Sequence, residues 1–144
     1  MTDGEINSKA PGVPVGVTEP MIRTLVHAFY ARVRKDALLG PIFNGAIDDW
    51  DTHLDKLCAF WSSVVLMSGR YKGTPMQAHV ALPDITGRHF ERWLMLFAET
   101  ARLHCPPDAA ALFIDRANRI AQSLQLGIGI HRGEGMSTFR KAGD

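Results

Sequence analysis

Cysteine is scarce in this sequence: Cys58 and Cys105 are the two in 144 residues, far apart and in helix-like surroundings. They match neither the C-x-x-C spacing of a zinc knuckle nor a disulfide-dense scaffold, so both are expected to be buried free thiols. Charge of one sign is equally scarce. Sixteen Lys and Arg stand against fifteen Asp and Glu, a formal net charge of +1. With no basic cluster on one face, the chain is not expected to bind nucleic acid, which demands a concentrated excess of cations. No apolar run approaches the roughly 20 residues of a membrane helix. Met1 to Val17 contain no basic stretch followed by an apolar one, so no membrane association or export signal is expected and the cytoplasm is the default location. Alternating period-2 segments and fixed-period repeats are also missing, which argues against sheet and solenoid. The chain has no H-E-x-x-H motif, no paired cysteines and no clustering of His with carboxylates, so zinc has no recognisable site.

What is present is the composition of one soluble globular domain, 46% hydrophobic and 22% charged, long enough to bury roughly 68% of its unfolded surface. Residues 1–17 hold three glycines and two prolines without a usable period and read as a flexible leader. Thr18-Glu19-Pro20 is a helix start, and Ile22, Val26, Phe29, Tyr30 and Val33 recur at helical spacing to about Lys35. Asp36 to Phe43, broken by Gly40-Pro41, reads as a turn-rich corner. Asp48 or Asp49 then caps a helix ending near Gly69, with Trp50, Leu54, Leu57, Cys58, Trp61 and Val65 on one broad apolar face. A short segment, Thr74 to Leu82, is stopped by Pro83. A third long helix spans about Ile85 to His104, with Phe90, Trp93, Leu94, Phe97 and Ala101 inward. A fourth spans about Asp108 to Leu126, with Phe113, Ala117, Ile120, Ala121 and Leu124 inward and Gly127 as its cap. Residues 131–144 read as a polar tail. The class is all-α.

Six histidines, at 27, 53, 79, 89, 104 and 131, are spread among the aromatic residues. His79 projects from the short segment on the side that carries Met76 and Leu82, where each ring nitrogen needs a partner. Spacing alone allows a core histidine bonded to backbone carbonyls. His53 interrupts a stripe continued by Leu57, Phe60 and Val64, and Tyr30 interrupts the apolar face of the first helix. Polar tips entering an apolar interior, opposite a lone imidazole on a separate segment, suit a buried planar metal cofactor: one side gives an axial nitrogen, the other hydrogen-bonding groups around an open position. His89 competes with His79 as axial ligand, but its charged stretch suits a propionate contact or a solvated position. His27, His104 and His131 lie outside the convergent set.

These residues resemble a known family. Phe29-Tyr30, Pro41-Ile42-Phe43, Trp50 with His53, and Phe60-Trp61, in that order, are similar to a truncated haemoglobin. His79-Val80-Ala81-Leu82-Pro83 followed by His89-Phe90-Glu91-Arg92-Trp93-Leu94 resembles the group III branch. The early helices are not followed by the Gly-Gly pairs usual in groups I and II, and the likeness covers about residues 18–127. It implies a shortened globin fold over residues 18–130, with two antiparallel helix pairs crossed around haem b. It further implies His79 as the proximal iron ligand, and Tyr30, His53 and Trp93 on the distal side. Phe43 would pack on the ring, beside Leu57, Phe60, Leu82 and Phe90. Lys56 and His89 would serve the propionates, with a solvated lysine the bland alternative for Lys56.

The implied function is reversible binding of dioxygen, or of nitric oxide or carbon monoxide, at a five-coordinate iron. Hydrogen bonds from the Tyr30 hydroxyl and the Trp93 indole would each contribute on the order of 1.5–3 kcal/mol to holding oxygen, and less to carbon monoxide. His53 would either swing as a gate or take the sixth position itself. The same pocket suits oxidation of nitric oxide or reaction with peroxide, which would require a separate reductase because the chain has no flavin or nicotinamide domain. A haem-free helical interaction domain is the reading from a different class.

Overall fold

A computed structural model describes residues 6–72 and 85–131, the side chains of residues 128–131 excepted. The short helical segment expected over Thr74 to Leu82, with His79, and the tail beyond residue 131 lie outside the described residues. Those described form helices and turns, with no strand among them. No helix among them is long and apolar enough to cross a membrane.

Helix α1, Glu19–Lys35, begins where the Thr18 hydroxyl accepts the Met21 N–H at 3.3 Å, with Glu19 in the first turn and Arg32, Arg34 and Lys35 in the last. Both charge placements suit the helix dipole. At Asp36 the chain turns, the carboxylate accepting the Leu38 and Leu39 amides at 3.1 and 3.0 Å. The expected corner is helical from Gly40 onward: α2 is Gly40–Ala46, with Pro41 in its first turn. Proline breaks a helix interior but suits its start, where its missing N–H is no loss. A side chain at Gly40 would meet the Arg34 carbonyl oxygen at 2.8 Å, so this residue type lets the corner close onto α1.

Helix α3, Trp50–Leu66, is capped by Asp49, which accepts the Thr52 N–H at 3.2 Å and its hydroxyl at 2.6 Å. It ends at Met67 in the left-handed conformation, φ 52°, two residues short of Gly69. Helix α4 is Gly87–His104. Helix α5, Pro107–His131, runs past the expected stop at Gly127. A glycine ends a helix by turning left-handed, and the described glycines with positive φ are Gly16 and Gly69.

Part of the segment expected as a leader, residues 6–17, is described. It forms turns pinned to the end of α3, with Asn7 N–H on Leu66 O at 3.1 Å and Gly12 N–H on Val65 O at 2.8 Å. The last carbonyls of a helix lack intrahelical donors, and this segment supplies two. Ala10 and Val17 are buried, and a Cβ at Gly12 would sit 2.7 Å from Val65 O.

Helix α1 is central, packing against α2, α3 and α4, while α4 pairs most extensively with α5. Between them runs an aromatic column. Trp61 stacks on Phe97 at 5.1 Å and Phe97 on Trp93 at 5.6 Å, both with rings 12° apart. Phe113 closes the lower end against Trp61, and Phe29 meets Phe97 edge-on. The expected inward stripes of α3, α4 and α5 all join this core, with Trp50, Leu57, Cys58, Trp93, Leu94 and Ile120 half-buried at its margins. Both cysteines are free but half-buried rather than buried, and burial pushes both thiols up in pKa.

Candidate functional site

Four helices bring an aromatic cage together at the upper end of the column. Tyr30, from α1, lies at its centre, with ring centroids 6.1 Å from Phe43 on α2, 6.1 Å from Trp50 and 6.3 Å from His53 on α3. His53 stands edge-on to Trp50 at 5.7 Å. Phe29 braces the cage from below, touching Tyr30 at 4.7 Å and Trp93 at 5.4 Å, both edge-on. On the outside, the Arg34 guanidinium covers the Trp50 ring at 4.7 Å.

The polar tips inside this cage set it apart from the core. Burial pushes the Tyr30 phenol up to about 12 in pKa, and the nearby Trp93 indole N–H offsets that rise in part. The indole still falls short of hydrogen-bonding geometry with the described residues: Trp93 Nε1 is buried and has no partner among them. A buried donor without an acceptor costs on the order of 1–3 kcal/mol. Tyr30 remains a neutral hydroxyl across the physiological range, able to donate. The site therefore presents two hydrogen-bond donors, one of them unused, within apolar walls.

Other residues picked from the sequence surround the cage. Leu57 and Phe60 are half-buried on α3, and Phe60 packs edge-on to Tyr71 at 5.3 Å. Phe90 is buried at the start of α4. Lys56 is exposed. His89 sits in the first turn of α4, where its Nδ1 accepts the Thr86 N–H at 3.0 Å. In the neutral ring Nε2 then carries the proton. His27 and His104 are exposed, and His131 is the last residue of α5. His79 and Leu82 lie outside the described residues. Sequence reasoning passed over one feature beside the cage, the Asp36–Arg92 ion pair, with Arg92 Nε and Nη2 both 2.7 Å from Asp36 Oδ1. Its signal was available: Asp36 follows the last residue of α1, and Arg92 precedes Trp93.

The bacterial-like globin family matches residues 14–112. A group 3 truncated hemoglobin of Campylobacter jejuni is 36% identical over 113 residues, 76% of this chain and 89% of that protein. The chain belongs to the truncated haemoglobins of group III. The crystal structure of the group III truncated hemoglobin from Campylobacter jejuni superposes with a TM-score of 0.71 at 37% identity, covering 75% of this chain and 88% of that one. The helices described above are therefore a shortened globin fold, and family membership carries with it haem and small diatomic ligands. The docked residues 6–13 precede the span matched by the family.

Proposed function

We propose that this truncated haemoglobin reversibly binds dioxygen and other diatomic ligands, nitric oxide and carbon monoxide among them, on haem b held by His79. The unpartnered Trp93 Nε1–H beside the buried Tyr30 hydroxyl carries this reading. When bound, haem would supply the iron that takes up a diatomic molecule. The chain's own residues do the rest. Phe43, Leu57, Phe60, Leu82 and Phe90 would give the macrocycle apolar contact, and Lys56 and His89 would serve its carboxylates. A neutral His79 would donate its second ring N–H to a backbone carbonyl, fixing its tautomer.

The His89 geometry favours His79 over His89 as the residue that would hold the iron. Ligation through Nε2 would require His89 to move its proton to Nδ1, which would remove the acceptor now capping α4 at Thr86 N–H. A proton on Nε2 instead suits donation to a carboxylate. On the distal side, Tyr30 and Trp93 would donate to whichever atom of the ligand has gained charge, so oxygen would gain more from them than carbon monoxide does. His53 stands at the cage margin, half-buried against Trp50 and Tyr30, and would either gate the pocket or itself hold the iron.

The same donor pair favours a second reading, oxidation of nitric oxide or reaction with peroxide, driven by a separate reductase. Donors aimed at a developing negative charge serve catalysis as well as binding. A haem-free interaction module, by contrast, gives no reason for an orphaned indole N–H. Purification with haem supplied, followed by an absorption spectrum, tests the proposal. A Soret band is expected, and its absence would falsify haem binding. His79→Ala is expected to lose stoichiometric haem while His89→Ala retains it, and the ferric spectrum of the wild type distinguishes a gating from a coordinating His53.

A further inference from the structure

The Asp36 side chain is 6% exposed, yet its carboxylate is fully engaged. Oδ2 accepts the Leu38 and Leu39 amides, while Oδ1 takes both Arg92 Nε and Nη2 at 2.7 Å. Burial alone would raise the Asp36 pKa, but Arg92 and the two amides outweigh it and hold the carboxyl below its usual range. A charge held by four donors is fixed in place, and so are the elements that carry them.

Those elements are the ones that bear the cage. Asp36 closes α1, which carries Tyr30, and its amide partners open the corner leading into α2 and Phe43. Arg92 is the residue before Trp93 on α4. Neighbouring residues on a helix differ by about 100° in direction, so anchoring one fixes the rotation that aims the other. A rotation of about 10° moves an atom 5–6 Å from the axis by about 1 Å. A hydrogen bond to a small ligand does not survive such a shift unchanged. The other ion pair between α1 and α4, Arg32–Glu99, is 3.7 Å long and exposed on both sides, too loose to set that rotation.

We infer that the Asp36–Arg92 pair is a positioning device that sets the aim of the Trp93 indole relative to Tyr30, and thereby the strength with which the distal pocket holds its ligand. The inference rests on the ligand-binding reading above and extends it to two residues outside the set assigned there to haem and ligand. Its consequence is that ligand retention responds to a contact at the surface corner of α1.

The test uses the carbon monoxide complex of the full chain, in which the C–O stretching frequency reports the donors facing the ligand. Arg92→Gln and Asp36→Asn are each expected to raise that frequency and to speed oxygen dissociation by about three- to tenfold, the size of one weakened hydrogen bond. Arg92→Lys keeps the charge but not the fork, so it is expected to fall between wild type and Arg92→Gln. It also serves if Arg92→Gln does not fold. Normal haem stoichiometry with unchanged frequency and dissociation in the folded variants, even at a lowered melting temperature, would overturn the inference and leave the pair purely structural. Failure of the underlying reading looks different, since then the wild type takes no haem or Tyr30→Phe leaves the same band unmoved.

Discussion

Helices α1 and α3 lie side by side, and the two ends of the pair treat buried polar atoms in opposite ways. At the end where α1 begins, the Ser62 hydroxyl donates to Glu19 Oε2 at 2.7 Å and lies 2.6 Å from the Ser68 hydroxyl. Arg70 Nε reaches the same Glu19 oxygen at 3.3 Å. Because Ser62 spends its proton on Glu19, Ser68 must donate to Ser62, giving a directed chain that closes on a carboxylate. At the other end, the Tyr30 hydroxyl is buried among aromatic rings and the Trp93 indole N–H has no acceptor among the described residues. A polar cluster that satisfies itself holds helices together. One that leaves a donor over is, on the function proposed above, matched to something that arrives from outside.

The sharpest way to break this comparison is Tyr30→Phe. If the cage serves a ligand, loss of the hydroxyl accelerates oxygen dissociation by roughly 10- to 150-fold, the equivalent of about 1.5–3 kcal/mol, with a smaller effect on carbon monoxide. An unchanged rate removes Tyr30 from the role. The same variant has a second signature in alkali. An unfolded tyrosine ionises near pH 10, whereas Tyr30 in the fold resists until about 12. Because its folded pKa is raised, the stability linked to this group is whole below pH 10 and is lost as pH climbs toward 12. The loss amounts to about 2–3 kcal/mol. Stability measured by denaturant titration across that window is expected to fall in the wild type and, for this component, to stay flat in Tyr30→Phe.

At the satisfied end the outcomes reverse. Ser62→Ala strips Glu19 of a buried donor and Ser68 of its acceptor, at a cost of about 1–3 kcal/mol. Partial exposure of Glu19 lets water soften one half of that loss. Oxygen dissociation is expected to stay within about twofold of the wild type. A variant that keeps its stability but changes ligand kinetics would invert the contrast between the two ends.

How much of this was legible in the sequence follows from the range of each interaction. The helices were read from caps and periodicity, which act within four residues: Thr18 and Asp49 cap where their side chains predict. Tyr30, His53 and Trp93 were visible as polar tips on apolar stripes, since a stripe shows a face even when its partner is unknown. The resemblance joined faces that lie far apart in sequence. What escaped depends on contacts between distant segments. Residues 6–17 look flexible because glycine and proline carry no period, and only the free carbonyls of Val65 and Leu66 give them a place. Gly127 looks like a stop because glycine often is one, and nothing local says that the helix continues. Asp36 and Arg92, 56 residues apart, each look like an ordinary surface charge until the helices are brought together.

The smallest expected effect tests where the cage ends. Arg34 lies over the outer face of Trp50 at 4.7 Å, and Trp50 in turn touches Tyr30 and His53, so the guanidinium is one ring removed from the donors. A cation over an exposed aromatic face contributes about 0.5–1 kcal/mol. Arg34→Gln should lower stability by no more than that, because the separate bond from Asn44 Nδ2 to the Arg34 carbonyl is untouched by the substitution. Ligand association and dissociation should both stay within about twofold, since neither Tyr30 nor Trp93 loses a neighbour. A larger change, above all in association, would place Trp50 in the ligand's route and make Arg34 the clasp that holds that ring. The boundary between cage and surface would then run outside Trp50 rather than through it.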